Sequence, residues 1–390
     1  MPIDTSPDRY ARDRRHRMPG VYFEEAAPRH EDAFRTGHPA FLGRAHAAQA
    51  GTLFQPHWLT RWEQFTERIG PRGDGYVADA VRGFFENGGS RCVVVTFPVN
   101  SAQQGADGWD TGVAKCLERL ERIDGVDLVC APDLPEDFDR RVKLQERVLE
   151  HCRTMGDRFA ILEPPRDAAP ELALHNWHKL TAVKDGALYY PWLRVASPAA
   201  NAIVPPCGHV AGVYARTDDR FGVHKAPANE TVDGAVDLHV HVTDRAHGEM
   251  NSVGVNCLRA FPGRGIRIAG ARTLSGLAEW RYVNVRRLFL TLKRWIEETS
   301  RDVVFEPGGP PLWERIRDHL NGYCYGLFQA GALKGTTPAE AYFVKCDDET
   351  NLRNDPDSGL VVAEVGLAPV KPAEFVVVRL SRSVAGATME

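Results

Sequence analysis

"VADAVRGFFENGGSRCVVVTFPV", residues 77–99, decides the fold class. In residues 77–87 the apolar side chains recur at helical spacing, and the run stops at Gly88 and Gly89, a pair suited to the left-handed turn that closes a helix. The following "RCVVVTFPV" (91–99) is almost continuously apolar, the pattern of a strand buried on both faces. A helix that feeds a doubly buried strand is the repeating unit of a parallel sheet covered by helices.

The pattern extends in both directions. "HPAFLGRA" (38–45) reads as an earlier strand. Downstream, 109–123 is helical with Asp110 or Thr111 as its cap, "GVDLVCAPDL" (125–134) is a strand, 136–156 is a long amphipathic helix ending at Gly156, and "RFAILEPP" (158–165) is a further strand. The first half is therefore α/β with a mostly parallel sheet. The second half is α+β. It carries Gly, Asn and Arg between short strands over 211–230 and 250–274, then helices at 282–299 and 311–330, then strands at 339–347 and 359–369.

The two ends stand apart. Residues 1–18 are rich in charge and poor in apolar residues, as expected of a disordered segment or a mobile arm, and "GVYFEE" (20–25) reads as a short strand after Pro19. At the other end "EFVVVRL" (374–380) follows "APVKP", whose two prolines resist incorporation into a sheet. Its partner is either the 359–369 run, as a hairpin within the chain, or a strand of another chain.

Bulk properties narrow the function classes. The 390 residues are 43% hydrophobic and 26% charged, ordinary for a globular protein, and the net charge of −4 argues against a nucleic-acid or anionic-membrane surface. No apolar run approaches 18 residues, and the basic N-terminus lacks the apolar stretch of a secretory signal, so synthesis in the cytoplasm is expected. The eight cysteines are scattered, form no C-x-x-C, and read as buried thiols.

Catalytic patterns are weak. In "DLHVHVTD" (237–244) a strand would place His239 and His241 on one face, with Asp237 or Asp244 as an added carboxylate, so a metal-dependent hydrolase is the alternative function. Two histidines do not complete a ligand set, and an exposed strand face is the plainer reading. Cys207 and His209 in "CGH" read as structural residues of a Pro/Gly turn. "GRGIRIAG" (263–270) fails as a dinucleotide loop because Ile268 replaces the third glycine. No cofactor, metal or enzymatic activity is expected.

A set of blocks in the same order resembles the tail sheath proteins of contractile phages, especially the short sheaths of phage-tail-like contractile injection systems. They are "PGVYFEE", "VADAVRGFFENGGSRCVVV", "APDL", "ALYYPWLRV", "VPPCGHVAGVYARTDDRFGVHKAPANE", "MNSVGVNCLRAFPGRGIRIAGARTL", "WRYVNVRRLF", "VFEPGGPPLW", "GALKGTTPAEAYFVKCD" and "VGLAPVKPAEFVVVRL". The likeness covers nearly the whole chain from about residue 19. Two departures are the charged residues 1–18 ahead of "PGVY", and Gly308 where the family tends to carry Asn.

The resemblance implies a structural subunit of two domains with terminal arms that exchange β-strands with neighbouring subunits. Residues 1–35 are then an N-terminal arm, 36–200 an outer α/β domain, 201–370 a C-terminal α+β sheath core and 371–390 a C-terminal arm. Val21, Tyr22 and Phe23, with Phe375, Val376, Val377, Val378 and Leu380, are the expected donated strands; Tyr342, Phe343, Val344, Val361, Val362 and Val365 are the expected acceptors. The implied partners are further copies in stacked hexameric rings, an inner tube protein, and baseplate and cap proteins of a released particle. For the tube, residues 282–298 offer a helix whose apolar stripe (Val285, Leu288, Phe289, Leu292, Trp295, Ile296) faces the core, while Arg286, Arg287, Lys293 and Arg294 gather opposite.

Overall fold

The computed structural model describes residues 35–45, 50–73, 75–98, 105–180, 183–196, 202–299, 306, 309–351, 360–374, 380–383 and 386–389. The chain divides into Met1–Arg35 and Thr36–Glu390. Of the first unit only Arg35 is described, so Val21, Tyr22 and Phe23 lie outside the described residues.

The second unit is built on an eight-stranded sheet. Six strands are parallel neighbours: β3 (Cys92–Phe97), β1 (Pro39–Arg44), β4 (Leu128–Cys130), β5 (Phe159–Leu162), β6 (Gly186–Tyr190) and β10 (Val255–Phe261). Antiparallel strands close both edges, β2 (His57–Leu59) beside β3 and β11 (Gly265–Ala269) beside β10. The sheet therefore takes strands from both sides of residue 200, and the body is not divided there as the sequence reading expected.

Alternation assigns the side chains to two apolar layers. Phe41 and Val94 enter one layer, whereas Ala40, Leu42, Val93 and Val95 enter the other. The first layer is covered by α1 (Glu63–Arg68), α2 (Val77–Glu86) and α6 (Cys207–Phe221). The second is covered by α3 (Gly105–Leu120), α4 (Phe138–Met155), α5 (Pro170–Lys179) and α7 (Asp244–Val253). Asp137 caps α4 by accepting from the Arg140 amide, and Gly156 closes it in the left-handed conformation. A small sheet of β7 (Leu193–Val195), β8 (Ala202–Val204) and β9 (Ala235–Leu238) lies beside the main one in the fold order.

Three local readings are corrected. Helix α3 begins at Gly105, so Asp110 lies within it and accepts from Lys143 Nζ of α4 at 2.9 Å rather than capping. The polar, glycine-containing first turn "GADGW" carries no apolar period to reveal it. Residues 207–221 form one helix, where short strands were expected from 211 onward, and Cys207 and His209 are buried in its first turn. Its glycines serve a close crossing with α2: a Cβ on Gly208 would strike the Ala80 backbone, one on Gly212 the Phe84 carbonyl, and one on Gly83 the His209 ring. Third, β9 ends at Leu238, short of both His239 and His241.

The chain after the sheet continues with α8 (Val283–Thr299) and α9 (Pro310–Gln329), then β12 (Tyr342–Lys345) and β13 (Glu364–Leu367). Helix α8 joins the two regions, since Val283 and Leu290 belong to the main core and Leu288 to a small C-terminal cluster.

Candidate assembly site: the C-terminal sheet and the roots of the arms

The C-terminal cluster is thin. Its buried members are Val223, Leu288, Ala332, Leu333 and Ala341, with Leu327, Phe328, Tyr342 and Leu367 packed partly against them. On this support sits a two-stranded antiparallel sheet in which Tyr342 faces Leu367, Phe343 faces Gly366 and Val344 faces Val365. Among the described residues no further strand joins it, so β12 and β13 each keep an outer edge. Phe343 is 58% exposed and Tyr325 of α9 45%. A two-stranded sheet is marginal in water by itself, and open edges with exposed aromatic side chains are surfaces for added strands.

Of the expected acceptors, Tyr342, Phe343, Val344 and Val365 lie on these strands. Val361 and Val362 do not, because the strand starts at Glu364. Val362 is bound instead by the Asn351 side chain, which accepts from its amide at 2.8 Å and donates to its carbonyl at 3.1 Å. Of the expected donor, Phe375, Val376, Val377 and Val378 lie outside the described residues. Leu380 opens a strand, Leu380–Ser383, that pairs antiparallel with Gly386–Met389, a partner the sequence reading did not consider.

The approach to that arm is held by polar contacts. The Val370 amide donates to the Ala332 carbonyl at 3.0 Å, and Asn284 Nδ2 donates to the Val370 carbonyl at 3.1 Å. Four residues on, the Glu374 carboxylate receives Arg272 at both oxygens, at 2.9 and 2.5 Å, and the Tyr282 hydroxyl at 3.3 Å. The Glu374 hydrogen bond holds the Arg272 guanidinium above its ordinary pKa. Sequence reading missed this clamp; Glu374 carried no signal beyond an acidic residue before an apolar run.

The expected basic face of α8 does not form. Arg287 and Arg294 are buried, and Arg286 pairs with the buried Asp185 at 2.6 Å. Lys293 is the exposed member, paired with Glu297 at 3.3 Å and donating to the Met155 carbonyl. The seven-residue spacing does not say where the cations point: Arg287 and Arg294 turn into the body, while Lys293 stays at the surface. Buried carboxylates lie opposite Arg287, which reaches Asp218 at 2.5 Å and Asp127 at 3.0 Å, with its guanidinium 4.8 Å from the centre of the Tyr214 ring. Burial opposes the charge on Arg287, but Asp218 and Asp127 more than offset it and raise its pKa. Burial raises both carboxylates too. At Asp127 the opposing effect of Arg287, Arg294 and the Gly37 and His38 amides prevails and lowers the net pKa, whereas Asp218 stays raised despite Arg287.

The histidine pair is not a ligand set. His239 Nε2 lies 2.8 Å from Asp167 and its Nδ1 is 3.4 Å from Arg194, whereas His241 sits 3.7 Å from Asp237. Among the described residues no three His, Cys, Asp or Glu side chains gather where a metal could bind. The hydrolase alternative has no geometry behind it.

The family model of the phage tail sheath protein central domain matches residues 112–274, and that of the phage tail sheath C-terminal domain matches 278–381. The chain belongs to the tail sheath protein family. The tail sheath protein of Vibrio phage KVP40 is 26% identical over 200 residues, which are 50% of this chain and 28% of that longer protein. The sheath chain also matches a chain of the anti-feeding prophage (AFP) baseplate, with 28% identity, a TM-score of 0.75 and coverage of 94% of this chain and 99% of that one. A chain of the PVC sheath complex, an extracellular contractile injection system in the contracted state, gives 29% identity, a TM-score of 0.75 and coverage of 94% and 98%. The family's own division, between 274 and 278, falls just ahead of α8.

Proposed function

We propose that this chain is the repeating subunit of a contractile sheath, stacked as hexameric rings around an inner tube and bounded by baseplate and cap proteins. The observation that carries the reading is the thin C-terminal sheet whose two edges have no partner among the described residues, in a chain that matches sheath subunits over 94% of its length. One neighbour is a six-fold symmetrised baseplate and another a contracted sheath, which supports a ring-forming, contracting role here. No helix of the described residues is long and apolar enough to cross a membrane.

In this reading the arms of two neighbours add strands to the edges of β12 and β13. The links persist while the globular bodies slide, and contraction draws its energy from better-packed contacts rather than from a hydrolysed nucleotide. The extended state is held by a kinetic barrier. Tube contact falls to residues other than the buried Arg287 and Arg294; Arg315 and Arg317, partly exposed near the start of α9, are a rival pair.

The test is electron microscopy of the chain expressed alone, intact and lacking residues 375–390 or 1–25. Ordered tubes from the intact chain and folded single subunits from both truncations are expected. Ordered tubes from the truncated chains would show that strand exchange is not the linkage.

A further inference from the structure

We propose that both arms are rooted beside one turn of α8, so that two polar clamps, one mounted on that turn through Arg287 and one tied to its N-terminal end through Arg272 and Tyr282, set the direction in which each arm leaves the subunit. The inference rests on the strand-exchange reading above.

The N-terminal root is Thr36–Gly37–His38. The Gly37 and His38 amides donate to the two oxygens of Asp127 at 2.9 and 2.6 Å, and the Thr36 hydroxyl donates to Asp218 at 2.6 Å. Gly37 has a φ of +79°, and a Cβ there would run into the backbone of Ala215 on α6, so the chain enters the body through a fixed, tight bend. Both carboxylates are held by one side chain, Arg287 of α8.

The C-terminal root is Val370–Glu374. Asn284 of α8 holds the Val370 carbonyl and the His224 carbonyl together. Pro372 restricts the intervening backbone, and Glu374 is seized by Arg272 and Tyr282. Arg272 is itself fixed: its Nη1 donates to the Asn251 and Ser252 carbonyls, and its backbone is bracketed by the Asn256 side chain. The segment that carries it is tied to the start of α8, because the Val283 amide donates to the Ala271 carbonyl and the Thr273 amide to the Arg281 carbonyl.

Asn284 and Arg287 are three positions apart, on one face of the helix and about 5 Å along its axis. A pull on one arm therefore reaches the other through one helical turn, with the Arg287 ion pairs on one side of it and the neutral Asn284–Val370 bond on the other. The Thr36 and Glu374 bonds act on the stems and not on the apolar core, so these two serve direction more than stability, whereas Arg287 also holds the body together.

The test uses the full chain. All eight cysteines are buried, so cysteines placed at the exposed Ala373 and Ser252 can be spin-labelled selectively. A narrow distance distribution is expected in the otherwise native chain and a broad one in Glu374→Gln. In unlabelled protein, Glu374→Gln and Thr36→Val are each expected to leave the melting temperature of the unassembled subunit unchanged while raising the concentration needed for tube formation about tenfold. Glu374→Asp, which keeps the charge, should recover part of that loss. An unbroadened distribution in Glu374→Gln, or tubes at the native concentration from either variant, would overturn the proposal. The 375–390 truncation reports separately on exchange. Tubes from that truncation alongside a broadened Glu374→Gln distribution would sink the exchange reading and leave the stem clamp standing.

Discussion

Arg287 on α8 donates two parallel hydrogen bonds to Asp218 on α6, at 2.9 and 2.5 Å, with both side chains almost fully buried. The pair joins the helix that leads into the C-terminal region to the helix that covers the main sheet. A planar guanidinium matches a carboxylate at two points and keeps a further N–H for Asp127, which an ammonium cannot reproduce.

Removing that guanidinium leaves two buried carboxylates facing each other. Arg287→Met is expected to destabilise the subunit by about 3–5 kcal/mol, and Arg287→Lys by less. Thermal or urea unfolding of the unassembled chain measures this. A melting temperature unchanged by Arg287→Met would remove the triad as a structural element.

The crossing of α2 and α6 depends on the absence of side chains. Gly208→Ala and Gly212→Ala put a methyl group against the backbone of Ala80 and Phe84, so each is expected to cost about 1–3 kcal/mol. Gly248→Ala, on an open face of α7 with nothing near its Cβ, should be neutral or slightly stabilising. Denaturant midpoints of the three variants give the comparison, and equal midpoints would show that the helices do not cross this closely.

Glu163 supplies a pH signature. Burial pushes its carboxyl up to about 7, against the partial relief of Arg141 at 3.4 Å. The folded chain then holds a proton that the unfolded chain has released between about pH 4.3 and 7, so this group's contribution to stability falls as pH rises through that window. Burial pushes the His151 and His209 imidazoles down to about 4, which gives the opposite slope between about pH 4 and 6.5. The difference between native chain and Glu163→Gln isolates the carboxyl. The variant should gain on the native chain by roughly 1–3 kcal/mol from pH 5 to pH 8. Parallel stability curves for the two proteins would show an ordinary carboxyl at this position.

The acceptor edge is open to a charge test. Phe343 is largely exposed, so Phe343→Lys should leave the melting temperature of the single subunit within about 2 °C. On the proposed edge it should suppress tubes, because a lysine on an edge strand opposes the docking of another strand. Pelleting assays read the polymer fraction. Undiminished pelleting would move the acceptor edge elsewhere.

The helix-to-strand passage at 77–97, the apolar strands at 38–45, 125–134 and 158–165, and the long helices at 136–156 and 282–299 were legible from sequence. A buried parallel strand is apolar on both faces, and a covering helix repeats its apolar face every turn, so local pattern and burial coincide. Tertiary structure decided the rest. Glycines at 208 and 212 looked like loop residues until α2 was found against them, because a close helix crossing and a turn both exclude a side chain. The four cations at 286–294 were expected on an exposed face that meets the tube, since sequence cannot show that Asp127, Asp185 and Asp218, distant in the chain, lie against Arg286 and Arg287 in the body. Charge is visible along a sequence, but whether it is buried depends on which opposite charge the fold brings to it.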